Sequence, residues 1–275
     1  MPELPEVETV MRGLDGHLTG RRIVSARLHR PDIRFPVPPE LPHVLTGALV
    51  LGFRRRGKFL LMRLEGGWSV LIHLGMSGRM LINAPPAAHE HLTIETEGGG
   101  RVGFVDPRRF GTLDLLPTAE EDSHRLLSAM GPEPLGNAFS GPVLAAALKG
   151  KSVAIKQALL DQRIVAGIGN IYASEALFRA GILPTRAAGK ISKPRIEILV
   201  QEIRATLIEA IAAGGSSLRD YVQPSGELGY FQHAWKVYGR AGEPCERCPG
   251  RAECAGIKAM TQGGRSTFYC ARTQK

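Results

Sequence analysis

MPELPEVETVMRGLDGHLTGRRIVSARL, residues 1–28, changes its hydrophobic period once, after Gly20, and that change decides the fold class. Up to Leu18 the apolar residues Val7, Val10, Met11, Leu14 and Leu18 recur at the spacing of one helical face. Pro5 suits the first turn of such a helix, and Glu3, Glu6 and Glu8 favour its positive end. Beyond Gly20, Val24, Ala26 and Leu28 alternate with Ser25, Arg27 and His29, the period of a half-buried strand. Similar runs follow at 58–64, 68–74, 91–96, 101–105 and 112–115, separated by Gly, Pro and Asn turns. Short strands so punctuated predict an antiparallel sandwich or barrel behind one N-terminal helix. The proline-rich stretch 31–42 reads as an irregular loop.

The alternation stops near 118–135. Gly131-Pro132-Glu133-Pro134 reads as a hinge, and helices are predicted over 142–149, 153–161, 170–179 and 193–213. Ile196, Leu199, Ile203, Leu207 and Ile211 form the core face of the last, between Ser192 as N-cap and Gly214-Gly215 as its stop. The tail after Trp235 reads as a cysteine-bearing hairpin. At 275 residues the chain is long enough for two cores, and it has no apolar run of membrane-spanning length and no signal-peptide pattern, so a soluble intracellular protein with no membrane partner is expected, and nothing in the sequence demands more than a monomer. The formal net charge of +9 points to a polyanionic partner. All four cysteines, Cys245, Cys248, Cys254 and Cys270, crowd into the tail, which without a secretory signal favours a metal site over disulfides.

Several stretches carry chemistry. Once Met1 is removed, Pro2 offers a secondary amine beside Glu3. An α-amino group titrates near 7.7–8.0, so roughly a tenth is unprotonated at pH 7. Its Schiff base has no N–H to lose and stays a cationic electron sink. The plain alternative is a proline-punctuated helix start. Arg54-Arg55-Arg56-Gly57-Lys58 is either a solvated strand edge or a phosphate-contact patch with Lys58 leading into a site. Two turns put apolar residues at tips: His73-Leu74-Gly75-Met76-Ser77-Gly78-Arg79, with Met76, and Asp106-Pro107-Arg108-Arg109-Phe110-Gly111, with Phe110 beside Arg108 and Arg109. An apolar wedge with a neighbouring arginine is one way to unstack a base step. In QRIVAGIGNIYASE, residues 162–175, Gly167 and Gly169 open a helix at Asn170-Ile171-Tyr172, a geometry that offers N–H groups to a phosphate.

Together these motifs resemble the bacterial formamidopyrimidine-DNA glycosylases, which excise oxidised purines. The likeness runs through MPELPEVET, HLGMSGR, the HEH of His89 to His91, DPRRFG, GPEPL, VAGIGNIYASEALFRAGI, GYF, VYGRAGEPC and GRSTFYC, covering nearly the whole chain. The related endonuclease VIII group typically begins PEGPE, so Leu4 places this chain on the purine branch, as does QPSGELGYF at 223–231, which matches a loop covering the flipped base. The resemblance implies an α+β chain in two domains. The N-terminal antiparallel β-sandwich with its helix (2–131) is followed by a helical DNA-binding domain (132–235) with a helix–two-turn–helix at about 153–179. A zinc-ribbon hairpin (236–275) ends the chain. It implies base excision with abasic-site lyase activity on damaged double-stranded DNA, in the bacterial cytoplasm at the nucleoid. Pro2 corresponds to the Schiff-base nucleophile, Glu3 to the acid that helps open the sugar, Lys58 to the β-elimination lysine and Arg265 to the δ-elimination arginine. Met76, Arg108 and Phe110 correspond to the wedge, with His89, Arg108, Arg109, Lys151, Lys156, Asn170 and Tyr172 at the DNA.

The tail departs from the family's two CxxC pairs. Cys245-Glu246-Arg247-Cys248 is intact, but Cys270-Ala271-Arg272-Thr273 ends in threonine, and the interval between the pairs is about five residues longer and contains Cys254. A structural Zn2+ needs four ligands, so Cys254 is expected to complete Cys245, Cys248 and Cys270; a loop thiol beside a three-ligand or empty site is the alternative. An endonuclease VIII-like activity on oxidised pyrimidines and a non-catalytic damaged-DNA-binding protein are the competing functions.

Overall fold

At Gly20 the backbone takes φ +79°, which a glycine adopts without strain, and the chain leaves its first helix for its first strand there. The computed structural model describes residues 1–216, 229–248 and 254–275. Residues 223–228 of the expected base-covering loop lie outside the described residues. By compactness the chain divides into Met1–Ala129 with Ile211–Gln232, and Met130–Ala210 with His233–Lys275.

In the first unit α1 (Leu4–Leu18) starts at an extended Glu3 and carries a reciprocal capping box between Glu3 and Glu6. The strands are β1 (Ile23–Leu28), β2 (Val50–Arg56), β3 (Phe59–Leu64), β4 (Trp68–His73), β5 (Arg79–Ile82), β6 (Glu90–Thr96), β7 (Arg101–Val105) and β8 (Thr112–Pro117). They form two four-stranded antiparallel sheets, β1-β6-β7-β5 and β2-β3-β4-β8. Val7, Val10, Leu14 and Leu18 of α1 share one core with Leu60, Met62, Val70 and Ile72 of one sheet and Leu92, Ile94, Val102 and Phe104 of the other. Each such side chain contributes about 1.5–3 kcal/mol by leaving water.

Three expectations change here. Val24 faces solvent, because a bulge between Ile23 and Ser25 shifts the register and gives its inward place to Ile23. The proline-rich stretch holds a short helix, α2 (Leu41–Leu45), with Pro42 in its first turn and Leu41 and Leu45 buried. Arg54, Arg55 and Arg56 lie within β2 rather than before an isolated strand.

The second unit contains α3 (Gly141–Leu148), α4 (Ile155–Leu160), α5 (Asn170–Arg179), α6 (Lys193–Ala212) and a hairpin of β9 (Lys258–Gln262) and β10 (Arg265–Tyr269). The hairpin turns on Gly263 and Gly264, both at positive φ as a tight two-residue turn demands. Gly131, read as a hinge, packs on backbone: a Cβ there would lie 2.6 Å from the Arg163 carbonyl oxygen. Part of the expected helical domain, Ile211 to Ser216 with Gly229 to Gln232, groups with the first unit, where the Ser216 N–H donates to Glu6 Oε1 at 2.8 Å.

Candidate functional site

The head of α1 is built from carboxylates. Pro2, Glu3 and Glu6 are all buried. The Glu3 N–H donates to Glu6 Oε2 at 2.9 Å, and the other oxygen of Glu6 takes the Ser216 amide. Glu6 therefore fixes the direction in which residues 1–3 leave the helix. Arg55 ties the lysine turn to this helix: its Nε donates to Glu8 Oε2 at 2.8 Å and its Nη1 to the Gly57 carbonyl at 2.9 Å. Lys58, next in the chain, is itself buried. Arg54 is equally committed, to Glu121 and Asp122. Arg54 and Arg55 are thus braces of the fold, a use that neither the solvated-edge nor the phosphate-patch reading of this run gave them.

His73 closes β4 with its ring against Phe59, centroids 4.6 Å apart. Burial, then the Lys58 charge, hold its imidazole down to about 4, and Nδ1 accepts the Gly75 N–H at 3.1 Å. It is a neutral ring beside a buried ammonium. The following turn exposes Met76, and the turn between β7 and β8 exposes Phe110 with Arg108 stacked over its ring at 5.0 Å. Arg109 and His89, both exposed, take positive φ of 56° and 62°, unusual for side-chain-bearing residues and a mark of shaped tips.

In the second unit Lys156 is 1 % exposed, and its ammonium donates to Asn170 Oδ1 at 2.6 Å, Thr267 Oγ1 at 2.8 Å and the Ser266 carbonyl at 2.9 Å. Three donors are thereby used. Lys156, expected at the DNA, fastens α4 and α5 to the hairpin that carries Arg265. Tyr172, also expected there, is buried in the core. Asn170 donates in turn to the Ser266 carbonyl at 2.9 Å. Lys151 and Arg265 are exposed, and the Lys151 carbonyl is held by the Gly189 N–H at 2.8 Å. The Gly167 N–H, read as a phosphate donor, is occupied by Gln162 Oε1 at 2.8 Å. Glu175 accepts from the N–H groups of Lys236, Val237 and Tyr238, and burial still pushes its carboxyl up.

Cys245, Cys248, Cys254 and Cys270 are free thiols whose sulphurs all lie within 4.8 Å of one another. Zinc–sulphur bonds of about 2.3 Å in a tetrahedron put sulphurs about 3.8 Å apart. The Cys248–Cys270 and Cys254–Cys270 separations are 3.5 and 3.8 Å, so the set fits such an ion. Thr273 stands 4.0 Å from the Cys245 sulphur, beside the cluster. Burial opposes ionisation of Cys270, but hydrogen bonds from Thr273 and Arg272 outweigh it and bring the thiol down to about 6.

Sequence reasoning gave no role to His73 or Glu175 and gave Glu6 only a place at the positive end of the helix. Glu6 had a signal, since acids three residues apart at a helix start form a capping box. Nothing local marks Glu175, whose partners are some 60 residues away.

Residues 1–113 match the model of the formamidopyrimidine-DNA glycosylase N-terminal domain, and residues 130–222 that of the formamidopyrimidine-DNA glycosylase H2TH domain. The chain is 67% identical over 275 residues to a formamidopyrimidine-DNA glycosylase of Acidiphilium cryptum, covering 100% of both. Among solved structures, a Lactococcus lactis Fpg mutant bound to Fapy-dG-containing DNA superposes with TM-score 0.91 at 34% identity, covering 100% of each chain. The wild-type Lactococcus lactis protein with an oxidised-pyrimidine-containing DNA gives 0.89 at 34% identity and the same coverage.

Proposed function

The chain belongs to the formamidopyrimidine-DNA glycosylase family, and we propose that it excises oxidised purines from damaged duplex DNA and then cuts the strand as an abasic-site lyase. The observation that carries this reading is the Arg55 bridge. It holds the turn of buried Lys58 against the helix whose head presents Pro2 and Glu3. A binding protein has no use for an amine, an acid and a second amine gathered so.

With Met1 removed, the Pro2 nitrogen attacks the anomeric carbon of a flipped nucleotide as the base leaves. The buried Glu3 carboxyl hands a proton to the ring oxygen, and the sugar opens to an iminium. That cation acidifies the neighbouring carbon. Loss of that carbon's proton, in the elimination served by Lys58, expels the 3′ phosphate, and a second elimination served by Arg265 expels the 5′ phosphate. Met76, Arg108 and Phe110 fill the gap in the stack, and His89, Arg109, Lys151 and Asn170 hold phosphates. Cys245, Cys248, Cys254 and Cys270 would hold a zinc ion, which would supply no step and would stiffen the tail that carries Arg265.

Oxidised pyrimidines are the second reading, favoured by the relative crystallised on such a lesion. Competition between 8-oxoguanine:C and thymine glycol duplexes decides: preferential cleavage of the purine lesion is expected, and a preference for thymine glycol would reverse the assignment.

A further inference from the structure

One buried carboxylate joins the two turns that carry Met76 and Phe110. Asp106 is 0 % exposed and both its oxygens are used. Oδ1 accepts from Ser77 Oγ at 2.6 Å, across from the other turn, and Oδ2 accepts the Gly111 N–H at 2.7 Å. Ser77, also buried, gives its only proton to this carboxylate and accepts the Arg108 N–H at 3.2 Å. Buried His91 donates from Nε2 to the Asp106 carbonyl at 2.8 Å, which fixes the ring's tautomer. Behind them the backbones touch: a Cβ on Gly75 would lie 2.4 Å from the Phe110 carbonyl carbon. The tips meanwhile stand in water, Met76 37 % and Phe110 43 % exposed.

A buried carboxylate is a poor device for stability alone, since desolvation offsets much of what its hydrogen bonds return. Exposed apolar tips add nothing to folding either. What the arrangement does provide is a fixed spacing between those tips. Inserting a wedge into a base step already costs unstacking, and a loose wedge would add its own ordering to that cost.

We propose that Asp106 and Ser77 are positioning residues that lock the Met76 turn and the Arg108–Phe110 turn into one rigid wedge before DNA arrives. This rests on the wedge role assigned under the proposed function. Both residues are buried behind the exposed tips, so their loss acts where a stack must be opened and not on the chemistry.

The test compares cleavage at an abasic site in a duplex with cleavage at the same site in a single strand, which has no opposing stack to open. Ser77→Ala should lower the duplex-to-single-strand rate ratio on the order of tenfold, the loss of one charge-assisted hydrogen bond. Ser77→Thr, which keeps the hydroxyl, should restore the ratio to within about twofold of the native value. The single-strand rate also reports whether the variant has folded. An equal loss on both substrates, or on neither, would overturn the lock. Met76→Ala is run alongside: if its ratio stays native, the wedge reading itself falls, and the lock falls with it for that separate reason.

Discussion

At the scale of the residue, the side chains that act on one another in this protein are mostly buried and mostly committed. His73 is the clearest case with a pH signature. Burial and the Lys58 charge lower its imidazole from 6.5 to about 4, so between those values the unfolded chain takes up a proton that the folded chain refuses. The stabilisation from this ring is complete above pH 6.5 and drains away as pH falls towards 4. Denaturant titrations across that window should show a steeper loss for the native protein than for His73→Phe; parallel slopes would contradict it. The residue scale also shows what a sequence conveys. Met76 and Phe110 stood out locally as apolar residues at turn tips, whereas Pro2 and Glu3 read locally as an ordinary helix start and took their roles from the family resemblance. Lys156 was placed near the lesion by the family resemblance alone, with no local pattern to show how it is held. Its three partners sit 14 to 111 positions away, and no local rule reaches them.

At the scale of the element, hydrophobic period located α1, α5 and most strands to within a residue or two, since half-buried faces impose it. It failed where a bulge moved Val24 outward and where β2, rich in arginine, hid its strand character. Arg54 of β2 and Arg63 of β3 explain a second prediction. Glu121, in the turn after β8, is buried, which alone would raise its carboxyl. Hydrogen bonds from Arg63, Arg54 and Ser69 overcome that and lower it from 4.5 to about 2. Its contribution is present above pH 4.5 and is lost as pH falls through 2. Glu121→Gln should lower the melting temperature at pH 7 by about 5 °C and flatten the acid limb, with Arg63 half in solvent moderating the effect. An unchanged acid limb in the variant would refute the coupling. In the tail, Cys254→Ser should release zinc measurably more readily in a chelator competition than wild type, whereas Thr273→Ala should keep the metal. Equal zinc retention in Cys254→Ser would return Cys254 to the status of a loop thiol.

At the scale of the whole molecule, the chain has a β-sandwich unit that holds Pro2, Glu3 and Lys58 and a helical unit that holds Arg265 and the cysteine cluster. The net charge of +9 and the exposed Arg108, Arg109, Lys151 and Arg265 imply binding that weakens steeply with salt as counterions are released. A logarithmic slope of about −3 or steeper is expected for a lesion duplex, about four phosphate contacts' worth, and a flat response would count against duplex DNA as substrate. The central claim is narrower: the N-terminal proline is the nucleophile. Borohydride reduction during reaction with an 8-oxoguanine duplex tests it most directly. The protein with Pro2 at its N-terminus should become covalently joined to the DNA, and Pro2→Gly or a chain extended before Pro2 should bind the duplex with little or no adduct. Undiminished trapping by the extended chain, or none by the native protein, would contradict the account.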